Sequence, residues 1–75
     1  MEKHVKPQEI ARIQKYLREK FSNNRIRMGE ISNAGDSVEV MLEEEFIGVI
    51  YRDEEEGDIS YDFNMAILEI DLPPQ

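Results

Sequence analysis

The sequence predicts an α+β fold in which one N-terminal helix packs on a four-stranded antiparallel β-meander. Three observations carry this expectation. Apolar residues recur at helical spacing only in the first third of the chain, and strict alternation replaces that period after Asn24. Turn-forming residues then separate successive alternating stretches. At 75 residues the chain has room for a single domain, 1–75, which buries about 60% of the surface its unfolded form exposes.

The helix is expected over 7–22. Ile10, Ile13, Leu17 and Phe21 fall on one stripe, and Pro7 suits a first helical turn, where its missing N–H costs nothing. With Lys6 as the N-cap, Val5 and Ile10 occupy the positions of a hydrophobic staple. Asn23 or Asn24 is suited to the left-handed conformation that ends a helix. The first two strands are expected over 25–32 and 36–42, joined by "NAGD". The third, 46–53, contains "FIGVIY", which is apolar on both faces. The fourth, 58–68, places Ile59, Tyr61, Phe63, Met65 and Ile67 on one face, where Leu17 and Phe21 are expected to pack. Residues 71–75 read as a disordered tail.

Between the last two strands lies "YRDEEEGDISY", a cluster of acids around one glycine. A calcium loop of the EF-hand kind needs glycine sixth and a bidentate Glu twelfth. Setting Gly57 sixth makes Arg52 first and Phe63 twelfth, neither of which is a suitable ligand. The stretch from Asp53 to Asp58 is therefore expected to be a hairpin connection, with Gly57 at positive φ and no metal.

The chain contains no cysteine, which removes disulfides, thiolate metal sites and thiol nucleophiles. His4 is the lone histidine, no serine has a nearby base, and the four glycines are isolated. The expectation is a non-enzymatic protein with no catalytic, cofactor-binding or metal-binding residues. No apolar run is long enough to span a bilayer, so a cytoplasmic location is expected.

The net charge of −8 is unevenly spread. Residues 1–27 hold eight basic groups against three acidic ones, a balance of +5, and the remainder holds only Arg52 against fourteen acids, a balance of −13. The simpler reading is that the basic segment folds against the acidic one. Arg12, Tyr16 and Lys20 form a basic stripe around an aromatic, the chemistry of a nucleic-acid surface, although so acidic a chain repels polyanions at long range. Nucleic-acid binding through this helix face is therefore the alternative reading.

The preferred reading is a protein-interaction module that self-associates, with a homodimer expected and any other protein partner unidentified. A sheet covered on one side by a helix normally shows polar residues on its open face. Here Met41, Ile47, Val49, Tyr51 and Ala66 are expected to form an apolar patch there, the candidate interface.

The segment "EEFIGVIYRDEEEGDISYDFNMAILEIDL" resembles a family of short, uncharacterised alphaproteobacterial proteins, a domain of unknown function. Members read like a helix ending "YLRxxF", then "EFIGV", an acidic "DEDGD" turn and "SYxFxMAIL". The likeness runs from "IARIQKYLREKF" through Asp71 and is most specific from Glu45 to Leu68. It implies a bacterial cytoplasmic origin and the same small fold, and it supplies no activity, cofactor or site residue.

Overall fold

A computed structural model describes residues 4–75. The helix α1 runs Pro7–Lys20, and the strands are β1 Ile26–Ile31, β2 Ser37–Leu42, β3 Glu45–Glu55 and β4 Asp58–Asn64, followed by a 3-10 turn at Glu69–Asp71. The strands form one antiparallel sheet in the order β1-β2-β3-β4, and α1 lies on one face of it. The expected architecture is the observed one.

The helix starts as its sequence dictates. Lys6 is the N-cap in an extended conformation and Pro7 is the first helical residue. The Lys6 amide donates to Glu9 Oε1 at 2.9 Å, satisfying a backbone group that the helix itself leaves free. Val5 is buried, and its N–H donates to the Gly35 carbonyl at 2.8 Å, which ties the entry of the helix to the β1–β2 turn. Gly35 is at φ 82°, and a side chain there would meet the His4 ring, so His4 packs on this turn rather than standing free of it. At the other end Ser22, not an asparagine, takes the positive φ.

Ile13 and Leu17 pack on Ile26, Val38, Val40 and Ile50, with Ile10, Met28, Leu42, Ile47 and Phe63 around them. Gln14 Oε1 accepts from the Met28 amide at 3.2 Å, and Arg18 Nε donates to the Ile26 carbonyl at 2.6 Å. One flank of α1 is thereby fastened to β1, at the sheet edge opposite β4. The helix consequently sits away from β4. Leu17 is buried as expected, whereas Phe21 is 55% exposed and Met65 is also exposed, so the expected packing of Phe21 on Met65 in the core does not form.

The last strand stops at Asn64 instead of reaching Leu68. The chain beyond it has left the sheet, and the apolar alternation of Met65 and Ile67 continues without a pairing partner. The acidic connection is tighter than expected. Glu55 pairs with Asp58, leaving a two-residue turn of Glu56 and Gly57 at φ 51° and 87°. Both central residues have positive φ, as a type I′ turn requires, and this turn suits the twist of the flanking strands. Asp53, Glu54 and Glu55 therefore belong to β3.

A bulge in β3 decides which side chains face the helix. Val40 pairs with Gly48, while the next residue, Met41, pairs with Phe46, so Ile47 is the extra residue. Phe46 turns to the open face with Met41, and Ile47 packs toward the core. The expectation that Ile47 lies on the open face is thus corrected. Gly48 is required here, because a Cβ would lie 2.5 Å from Phe63 Cε1 and 2.6 Å from the Asn64 carbonyl oxygen. Without one, the Phe63 ring lies over bare backbone and β4 closes on β3.

Candidate functional site

Three regions concentrate the polar chemistry and the exposed apolar surface: a buried ion cluster below the N-terminal turn of α1, a groove between α1 and β4, and the open face of the sheet.

The ion cluster follows from strand phase. Gly48, Ile50 and Arg52 alternate onto the helix side of β3, and Tyr61 pairs with Arg52 across the ladder. Arg52, the one basic residue after Arg27, therefore enters the interior directly under Glu9. Its Nε donates to Glu9 Oε2 at 2.8 Å and its Nη1 donates to Glu54 Oε1 at 3.0 Å. Tyr61 Oη also donates to Glu9 Oε2. With the Lys6 amide on Oε1, the carboxylate holds three donors.

Burial alone would raise the Glu9 carboxyl, but the Tyr61, Arg52 and Lys6 hydrogen bonds and the Arg52 charge outweigh it and bring it down to about 2. The hydrogen bond to Glu9 raises the Arg52 guanidinium further above its ordinary range, against its own desolvation. Burial, then the hydrogen bond to Glu9, raises the Tyr61 phenol. At neutral pH the cluster is an ionised pair capped by a neutral phenol. A carboxylate with so low a pKa is a poor general base.

The groove runs along the flank of α1 that faces β4. Arg12, Ile13, Tyr16 and Leu17 from the helix face Ile50, Tyr61 and Phe63 from the sheet around a cavity of about 450 Å³. Leu17 and Phe63 continue into a second depression, where Phe21 and Met65 form the rim. Arg12 and Tyr16 of the expected basic stripe therefore share the groove wall, and Lys20 lies one turn beyond.

Among the described residues, the expected pairing of the basic segment with the acidic one is realised by Arg25, just before β1, and Arg27 within it. Arg25 and Arg27 reach Glu43 and Glu44, at 3.9 and 3.4 Å, across the exposed β2–β3 turn. Among the described residues Arg12, Lys15 and Lys20 form no ion pair.

The open face carries the cross-strand pair Met41 and Phe46, then Val49 and Tyr51. Phe46, Val49 and Tyr51 surround a shallow depression with Asn64, Met65 and Ala66. Four of the five predicted interface residues, Met41, Val49, Tyr51 and Ala66, thus remain on this side, and Phe46 replaces Ile47. Glu39 and Asp62 interleave with them. No helix among the described residues is long and apolar enough to cross a membrane.

Residues 9–71 match the protein family of unknown function DUF3126. The chain belongs to that family. No curated protein and no solved structure matches it. The matched span begins at Glu9 and includes Arg52 and Tyr61, so the whole ion cluster lies within the DUF3126 region. The tail through Asp71 lies within it as well.

Periodicity and composition do not single out the Glu9–Arg52–Tyr61 cluster. A signal was present: Arg52 stands at the next inward position after Gly48 and Ile50, where a hydrophobic residue would be expected. A charge at such a position calls for a partner of opposite sign.

Proposed function

We propose that this DUF3126 protein is a non-enzymatic protein-interaction module that self-associates through the open face of its sheet. The carrying observation is the apolar group Phe46, Val49 and Tyr51, continued by Ala66, on the face that α1 does not cover. A sheet of four strands with one free face leaves such side chains in water, and a second copy applied face to face removes them from it. Two-fold symmetry is the commonest arrangement for such contacts. The polar cluster supports the same reading, since the low pKa and three donors of Glu9 suit a structural clamp better than proton transfer.

Sedimentation at micromolar concentration tests the proposal. The wild type is expected as a dimer that Val49→Lys dissociates, and a wild-type monomer refutes it.

Nucleic-acid binding through α1 is the second reading, supported by the absence of acid partners for Arg12 and Lys20 among the described residues. The net charge of −8 opposes it. Salt-dependent binding of single- or double-stranded nucleic acid would favour it over the first reading.

A further inference from the structure

Among the described residues, the segment after β4 is the most exposed apolar stretch. Ile67, Leu68 and Leu72 are each more than half exposed, and Ile70 is 86% exposed. Glu69 and Asp71 interleave with them, and a 3-10 turn spans Glu69–Asp71. A disordered, solvated tail is normally poor in large aliphatic residues, whereas this one has the composition of a strip that becomes buried.

On the other face of the sheet, the groove between α1 and β4 offers complementary chemistry. Its floor is apolar, formed by Ile13, Leu17, Ile50 and Phe63. The helix that walls it carries Arg12 in the lining and Lys20 one turn beyond Tyr16, neither of which forms an ion pair among the described residues. Beside the groove, β4 is the edge strand of the sheet.

We infer that the groove is the docking site for the Ile67–Leu72 segment of a second copy of this chain. The aliphatic side chains fill the floor, and Glu69 and Asp71 lie against the basic helix flank. The inference rests on the self-association proposed above and adds a second element to it: the tail of each copy passes around the partner's β4 edge into the groove behind.

Reach permits this arrangement. Met65 and Ala66 link β4 to the docked segment, so Ile67 lies within about 10 Å of Asn64 at roughly 3.3 Å per residue, which matches the spacing of two packed sheets, and the chain from Ile67 to Leu72 can extend about 17 Å further along the partner's groove. Occupation by the same chain is disfavoured by direction. The chain runs along β4 from Tyr61, beside Glu9, to Asn64, and so leaves the groove at the Phe21 end. To enter its own groove it would have to reverse, and no glycine, proline or asparagine lies between Met65 and Leu72.

The absence of native cysteine makes disulfide trapping a clean test. An equal mixture of Tyr16→Cys and Ile70→Cys chains is oxidised mildly at micromolar concentration, and the bridges are mapped by mass spectrometry. A chain carrying both substitutions is treated in parallel. The expected products are the mixed 16–70 bridge and, from the double variant, a covalent two-chain species. A bridge closed within one chain overturns the inference in favour of a fold-back. Absence of the bridge in chains that still sediment as dimers overturns the inference but leaves self-association standing, and a monomeric wild type refutes both. In the full chain, Ile70→Glu is expected to weaken dimerisation about tenfold or more, since it replaces a buried aliphatic contact with a charge. Its effect on folding should be slight because Ile70 is solvent-exposed in the single chain. An unchanged dissociation constant overturns the inference.

Discussion

Replacing Glu9 by Gln keeps the size and shape of the side chain but removes the charge opposite Arg52. The expected magnitude follows from linkage. The Glu9 carboxyl falls from an ordinary 4.5 to about 2 in the folded protein, and about 2.5 units at 1.36 kcal/mol each correspond to roughly 3 kcal/mol. Small domains hold only about 0.05–0.15 kcal/mol per residue, so this is a large share of the total. The sign follows from the depressed folded value: the stabilisation is complete above about pH 4.5 and is lost as the pH falls toward 2. Urea unfolding followed by circular dichroism, on wild type and Glu9→Gln from pH 7 to pH 3, measures it. The informative quantity is the gap between the two proteins at each pH, because it isolates Glu9 from every group the two proteins share. The gap is expected to be about 3 kcal/mol at pH 7 and to narrow steadily below pH 4.5. A gap that stays constant with pH, or never opens, would falsify the assignment of Glu9 as an ionised clamp on Arg52 and Tyr61.

Three further substitutions probe the packing that shapes the groove. Gly48→Ala is expected to destabilise by about 1–3 kcal/mol, because the new methyl meets both the Phe63 ring and β4 backbone; thermal unfolding equal to wild type would contradict the close approach of β4. Leu17→Ala is expected to cost about 2–5 kcal/mol in chemical denaturation, whereas Phe21→Ala should cost much less because Phe21 lies at the groove rim; comparable losses would place the helix differently on the sheet.

Much of the fold was legible because helical and strand periods are local properties of a sequence. The stripe of Ile10, Ile13 and Leu17 requires only neighbours three and four residues away to specify a helix, and Val38 and Val40 specify a strand in the same way. The glycine at the acidic turn was similarly readable, since Gly57 needs only its own positive φ. The bulge at Ile47 was not legible. It is set by which residue of β2 each β3 residue pairs with, and a shift of one position exchanges the faces of Phe46 and Ile47. Nor did the pattern show that β4 would end at Asn64, because the alternation of Met65 and Ile67 continues and only the absence of a pairing strand stops the sheet. The position of the helix depended on tertiary structure too: its hydrogen bonds to β1 hold it away from β4, opening the groove and leaving Phe21 at the rim. Local periodicity and composition were enough to specify one helix, four strands and a charge imbalance. The tertiary structure alone decided that Glu9 and Arg52, separated by 43 positions, share a buried contact, because desolvating a charge is tolerable only where the fold supplies its partner.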